Sequence, residues 1–527
     1  MTLTSERPAS TPEGPTPTFD SLDPRTGDVV DSYPVHGTAE VEAAVAAARE
    51  DAEWWASLGF DGRAAQLNRW KGFLTRHAAQ LADVVHRETG KPHGDAALEI
   101  ALTIDHLAWA GGHAAKVLGR QKVSPGLFMA NQAASVEYRP LGVVGVIGPW
   151  NYPVFTPMGS IAYALAAGNA VVFKPSELTP GVGTWLADSF AHVVGRKVFR
   201  VVTGLGDTGA ALCRAGVDKL AFTGSTATGK KVMATCAETL TPVVIEAGGK
   251  DAVIVDHDAD LEAAADATVW GACSNAGQTC IGVERVYVHE RVYDEFLATV
   301  VAKTQGLRAH GGLDAPLGPI TLPSQLDVIR THIDDAISRG GRAVVGGPGA
   351  VGDRFVQPTV LVDVPEDSLA VTEETFGPTV TIARVDSMEE AVRRVNAVRY
   401  GLGSTVFSKA RGQEIADRLR AGMTAINGII SFAAIPGLPF GGVGDSGFGR
   451  IHGPDGLKEF TYAKATARAR FKAPLNLTTF SRTVEDDGRL AQLLVLLHGR
   501  GTILDAPDTR RARAVDRVRA VRRAGRG

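Results

Sequence analysis

The sequence predicts an α/β protein built on doubly wound, mostly parallel sheets. Three observations carry that reading. Short apolar runs recur with small-residue helical patterns between them: LGVVGVIGPW at 141–150, AVVFK at Ala170–Lys174, FRVVT at 199–203, KLAFTG at Lys219–Gly224 and PVVIEAGG at 242–249. The runs are continuous rather than alternating, as in strands covered on both faces. A second series of the same kind starts after Lys250.

Each element follows from local spacing. From Glu40, the residues Val41, Ala44, Val45 and Ala48 take the i, i+3, i+4, i+7 positions of one helix face, and helical patterns continue to about Gly119. LFMANQAASVEYRPLG at 127–142 reads as a strand pair leading into the first apolar strand. Beyond Lys250 come AVIVD, the region of Cys280, ERVYV and an amphipathic helix carrying Val292, Phe296, Val300 and Val301. APLGPI, RAVVGG, VQPTVLVDV and TVTIARV then extend a second α/β domain over 247–439. After Arg470 the pattern stops, leaving a mixed segment, the apolar LAQLLVLL at 490–497 and the Arg-rich 508–527.

Bulk composition narrows the function classes. A chain of 527 residues with 44% hydrophobic side chains has material for two or three domains with large cores. Its 55 basic and 58 acidic residues nearly cancel, which argues against a nucleic-acid binder. Cys213, Cys236, Cys273 and Cys280 match no disulfide or zinc spacing, so no metal is expected and a reducing cytoplasm suits the chain. Residues 1–17 are rich in Pro, Thr and Ser without an apolar stretch and read as a disordered leader. No run approaches the roughly 18 to 20 apolar residues of a spanning helix, which predicts a soluble or at most peripheral protein. In 508–527 eight Arg face two Asp, a composition that suits a solvated tail or weak contact with an anionic membrane surface.

Several positions have the chemistry of a site. Cys280 closes GACSNAGQTC, where Asn275, Gly277 and Gln278 suggest a polar, flexible loop suited to a nucleophile, although a free cysteine is also commonly buried and inert. Glu246 in VVIEAGGK is a carboxylate at the end of an apolar strand, placed to activate water. GSTATGK at 224–230 follows a strand and opens a helix, where backbone N–H groups hold phosphate; Lys231 replaces the P-loop hydroxyl, so phosphoryl transfer fits poorly. KPSE at 174–177 offers Lys174 and Glu177 to an adenosine ribose, or Ser176 and Glu177 to a helix cap. Asn151 could donate to an oxyanion or simply occupy a turn.

Taken together and in order, GPWNYP, KPSE, FTGSTATG, EAGGK, NAGQTC, EETFGP and PFGGVGDSGFGR resemble the aldehyde dehydrogenase superfamily over about 19–470. The resemblance implies an NAD(P)-dependent, non-acylating enzyme with a Rossmann-type cofactor domain over 18–121 and 142–246 and an α/β catalytic domain over 247–439. A small β oligomerisation element over 122–141 and 440–470 would make a homodimer or homotetramer, and 471–527 would be a C-terminal extension. Carried over by motif, Cys280 is the nucleophile, Glu246 the general base, and Asn151 with the Cys280 backbone N–H the oxyanion hole. Lys174 and Glu177 would hold the adenosine ribose, with Gly224, Ser225 and Gly229 by the pyrophosphate. Glu374 and Phe376 would position the nicotinamide, bordered by Trp150. NAD is expected, with NADP as the alternative.

Two motifs depart from the common pattern. EAGGK has Ala247 where Leu is common, and Gly444 stands where Lys is frequent, as in the branch acting on medium-chain, fatty and aromatic aldehydes. Tyr152, Phe155 and Gly159 point to an apolar tunnel, and ISFAAIPGL at 430–438 brings no Arg or Lys. An apolar aliphatic or aromatic aldehyde is therefore expected over succinate semialdehyde, whose carboxylate wants a cation. Two alternatives are a catalytically silent binding protein and a cysteine hydrolase using His257 or His289 as base.

Overall fold

The computed structural model describes residues 17–312, 315–473 and 478–499. The leader up to residue 16 and the Arg-rich 508–527 lie outside the described residues. Packing divides the chain into a larger unit, up to 121 with 137–464, and a smaller one, 122–136 with 465 onward. The architecture is α/β, as the apolar runs predict.

The first sheet of the larger unit has the order Gly447–Phe448, Val243–Ala247, Lys219–Gly224, Val143–Ile147, Ala170–Lys174, Phe199–Val201. All pairs are parallel except Gly447–Phe448 against Val243–Ala247. The chain starts in the middle at Val143–Ile147, builds outward to one edge, then returns to build the other side. The order therefore reverses between Val143–Ile147 and Lys219–Gly224, the crevice where such sheets take ligands at their carboxyl ends.

Helices on this sheet are held by aromatic packing. Thr38–Ser57 buries Val41, Val45, Ala48, Ala52 and Trp55, and Gly59–Arg76 buries Leu67, Trp70 and Leu74. Trp70 meets Phe190 edge to face at 5.0 Å and Phe199 at 6.1 Å. The two buried indoles keep their N–H groups satisfied: Trp55 donates to the Leu165 carbonyl at 2.8 Å and Trp70 to Ser189 Oγ at 2.9 Å.

The second sheet has the order Arg342–Val345, Thr359–Val362, Thr379–Val385, Val283–His289, Asp251–Val255, Ser404–Phe407, Ala425–Ile426. Only the first pair is antiparallel. The expected strand in APLGPI is a single bridge between Leu317 and Ala309, because Pro316 and Pro319 lack the N–H groups a ladder needs. The helix expected around Val292 spans Tyr293–Gln305 and buries Phe296 and Val300.

A third sheet joins Thr461–Ala469, Gln132–Pro140 and Gln121–Val123. The strand pair read over 127–142 is thus only half right. Gly126 at φ 70° turns the chain and Leu127–Met129 closes a 3-10 turn, so the partner strand lies earlier, at Gln121–Val123. The segment 440–470, expected to belong with this sheet, is divided: Gly447–Phe448 lies in the first sheet and Thr461–Ala469 in the third. LAQLLVLL falls in the helix Val484–His498, which buries none of its residues. Among the described residues no helix is long and apolar enough to cross a membrane, and no cluster of His, Cys, Asp or Glu could hold a metal ion.

Candidate active site

Cys280 stands past a turn that bends sharply. Helix Leu261–Cys273 ends at Ser274, and Asn275, Ala276 and Gly277 follow at φ 51°, 53° and 72°. Three successive left-handed residues are costly, and the turn persists because its surroundings over-determine it. Gln278 is 1% exposed and donates to the carbonyls of Asn275 at 3.0 Å and Pro319 at 3.2 Å, while its Oε1 accepts from Thr321 N at 2.8 Å. The expectation of a flexible loop is corrected: its polar side chains are spent inside, satisfying buried backbone groups. The Cys280 side itself stays partly exposed.

Glu246 is the penultimate residue of the Val243–Ala247 strand, where it pairs with Thr223 on one side and Gly447 on the other. It is 3% exposed and neither carboxyl oxygen has a hydrogen-bond partner of normal geometry. Burial pushes its pKa up to about 8, with the neighbouring Cys280 thiol and Thr223 hydroxyl pulling the other way. The Cys280 thiol is pushed well above its ordinary value by burial and then by the carboxylates of Glu246, Glu374 and Asp251. At rest Cys280 therefore carries its proton, and Glu246 is the adjacent group able to take it.

Asn151 lies past the end of Val143–Ile147. Its Nδ2 donates to the Gln278 carbonyl at 2.9 Å, and its own carbonyl accepts from Asn275 Nδ2 at 3.0 Å, so this turn and the Cys280 turn are laced together. Trp150 meets the Phe376 ring edge to face at 5.6 Å. Glu374 accepts from Gly249 N at 2.9 Å, and burial raises it to about 8. The 374–376 segment is held by Glu284, which accepts from the backbone N–H groups of Thr375 at 2.8 Å and Phe376 at 3.0 Å and pairs with buried Lys250.

The remaining cofactor candidates lie along the same carboxyl edge of the first sheet. Lys174 ends its strand buried, with its pKa lowered by burial, and reaches the half-exposed Glu177 at 3.4 Å. Gly224 ends the next strand beyond the reversal. Ser225 then caps helix Thr226–Ala237, accepting from Thr228 N, and Gly229 approaches Ile245 so closely that a Cβ would fall 3.1 Å from it. A helix start beside the reversal of strand order, with the Glu177 carboxylate past the end of Ala170–Lys174 on the other side of Val143–Ile147, fits a dinucleotide.

Over Cys280 opens a cavity lined by Leu98, Leu102, Tyr152, Phe155, Trp270, Ile281, Ile430, Ala433, Phe440 and Ile451, with Asp95, Glu99 and His452 as the ionisable side chains besides Cys280 and Tyr152. Tyr152 and Phe155 were expected here. Gly159 acts indirectly: a Cβ on it would come within 2.6 Å of His452 Nε2. Asp95, Leu98, Glu99 and Leu102 escaped the sequence reading, although their i, i+3, i+4, i+7 spacing on His93–Leu118 marks one helix face. His257 and His289 pair with each other at 5.3 Å between rings, and neither lines this cavity.

Comparison with known proteins places this arrangement among relatives. The model of the aldehyde dehydrogenase family matches residues 11–466. A 4,4'-diapolycopene aldehyde oxidase of Methylomonas sp. is 35% identical over 492 residues, covering 92% of both chains. A glutarate-semialdehyde dehydrogenase of Pseudomonas aeruginosa is 36% identical over 450 residues, covering 84% of this chain and 92% of that protein. The crystal structure of PnpE in complex with nicotinamide adenine dinucleotide superposes with a TM-score of 0.82 at 34% identity, over 88% of this chain and 96% of that one.

Proposed function

The chain belongs to the aldehyde dehydrogenase family, oxidoreductases acting on aldehydes, and from that premise we propose that it converts an apolar aliphatic or aromatic aldehyde to the carboxylic acid. The observation that carries the substrate class is the cavity lining: no Lys or Arg, mostly apolar and aromatic side chains, and the carboxyl groups of Asp95 and Glu99. An aldehyde with a distal carboxylate would be desolvated there without a counter-charge.

The residues divide the chemistry in this way. Glu246 takes the Cys280 proton as the sulfur bonds to the carbonyl carbon, forming a thiohemiacetal. The Asn151 amide and the Cys280 backbone N–H hold the negative oxygen. When bound, a nicotinamide would supply the hydride acceptor, and loss of hydride from that carbon would turn the Cys280 adduct into a thioester. Glu246 passes the first proton to solvent, then draws a proton from the water that attacks the thioester and returns it to the departing sulfur, releasing the acid and the Cys280 thiol. Lys174 and Glu177 bind the adenosine ribose, Gly224, Ser225 and Gly229 face the pyrophosphate, and Glu374, Phe376 and Trp150 orient the nicotinamide of NAD, with NADP as the alternative. The three-stranded sheet is the element through which a homodimer or homotetramer assembles.

The test follows reduced nicotinamide with hexanal, benzaldehyde and glutarate and succinate semialdehydes, each with NAD and NADP. Turnover favouring the first two, and abolished in Cys280→Ala, is expected. A hundredfold preference for either semialdehyde would overturn the substrate class.

A further inference from the structure

Three charged side chains outside the reacting set converge on the turns that carry it. Lys91 and Glu99 form an ion pair at 2.7 Å with both side chains fully buried. Lys91 Nζ also donates to the Asn151 carbonyl at 2.7 Å and lies 4.1 Å over the Tyr152 ring. Glu99 turns its other oxygen to the backbone N–H groups of Val154 at 2.7 Å and Phe155 at 3.0 Å. One turn earlier on the same helix face, Asp95 accepts from the Asn275 backbone.

The anchor itself is fixed from behind. Lys91 N donates to Thr89 Oγ1 at 3.2 Å, its carbonyl accepts from His86 Nδ1 at 2.7 Å, and Gly90 ahead of it sits at φ 69° against Pro319. A buried ion pair is a poor route to stability, because desolvation offsets the attraction and an apolar pair of equal size folds as well. It is, however, stiff and directional, which is what a turn needs when an amide must be aimed to within a fraction of an ångström.

We propose that the Lys91–Glu99 ion pair is a positioning device for the oxyanion hole: it clamps the 151–155 turn by backbone contacts at both ends, so that the Asn151 amide faces the carbonyl oxygen bound over Cys280. This rests on the role of Asn151 proposed above. Neither Lys91 nor Glu99 touches the reacting atoms; both act through Asn151, Val154 and Phe155.

The experiment is a single-turnover measurement of the nicotinamide burst with hexanal in Lys91→Met, Glu99→Gln, the double variant, Asn151→Ala, and Lys91→Met in the Asn151→Ala background. Lys91→Met is expected to slow the burst about tenfold to a hundredfold, the scale of a misplaced catalytic group, with the Kd for NAD unchanged within about twofold. The double variant leaves no unpaired buried charge. It is expected to melt within a few degrees of the parent yet stay as slow, and it decides the matter where Lys91→Met does not fold. Once Asn151 is Ala, losing Lys91 should slow the burst by less than about threefold, since the group it aims is gone. A merely structural role would make the two losses multiply, and that result, or a parent-like burst in a folded double variant, overturns the proposal. A parent-like burst in Asn151→Ala instead removes the oxyanion reading of Asn151, and the clamp's purpose with it.

Discussion

Gly277 packs directly on Gly377: a Cβ at 277 would fall 2.1 Å from the carbonyl carbon and oxygen of Gly377. The same residue sits at φ 72°, so side-chain space and backbone conformation both demand glycine three residues before Cys280.

Gly277→Ala is therefore expected to displace the Cys280 turn. The left-handed conformation alone costs about 1 to 3 kcal/mol, and the clash adds to it. Thermal denaturation should register a lower midpoint, and the nicotinamide burst should fall by at least about a hundredfold. A parent-like burst would mean that the turn can relax without moving the thiol.

Glu246→Gln removes the base from both half-reactions. The amide can take a proton neither from Cys280 nor from water, so the nicotinamide burst and steady-state turnover should both drop by about a hundredfold to ten-thousandfold. A parent-like burst with an acyl adduct on Cys280, detected by intact-protein mass spectrometry after quenching, would confine Glu246 to the water step. In the parent, thioester hydrolysis needs ionised Glu246, so its rate should climb with pH through about 8.

Folding stability carries an opposite pH signature. Burial pushes Glu246 and Glu374 up to about 8 and Asp251 up to about 7. Unfolded carboxyls ionise near about pH 4, so between there and about pH 8 the folded chain binds more protons than the unfolded one. That contribution is complete below the unfolded value and is lost as pH rises through 7 and 8. The thermal midpoint should fall between pH 6 and pH 9, and Glu246→Gln should shrink the fall. An identical fall in both proteins would show that Glu246 is not held neutral.

Asp95→Asn tests the electrostatics of the cavity. Removing one of its carboxylates while keeping an acceptor for the Asn275 N–H should lower the KM for glutarate semialdehyde about fivefold, for about 1 kcal/mol of relieved repulsion, and leave hexanal unchanged. Equal effects on both aldehydes would place the change in the turn rather than in substrate charge.

Glu177→Ser addresses cofactor choice. A carboxylate accepts from two ribose hydroxyls and repels a 2′-phosphate, so its loss should shift the NADP to NAD ratio of kcat/KM upward by about tenfold. An unmoved ratio would relocate the discrimination to another residue.

The sequence by itself determined the apolar strands of the first sheet and singled out the two side chains proposed to react. Ala170–Lys174 and Lys219–Gly224 have the bounds their sequence runs mark, because a strand covered on both faces is continuously apolar between its ends. Cys280, Glu246 and Asn151 were legible because each sits in a local motif. The tertiary structure alone decided that the loop before Cys280 is rigid, that APLGPI is no strand, and that the antiparallel Gly447–Phe448 joins the first sheet at Glu246. It also decided that Lys91 and Glu99 are fully buried beneath Asn151. Periodicity reports which face of an element is covered; it does not report what covers it. A lysine and a glutamate on a helical segment read as solvated charges until the crossover between strands brings a backbone carbonyl and two N–H groups to meet them.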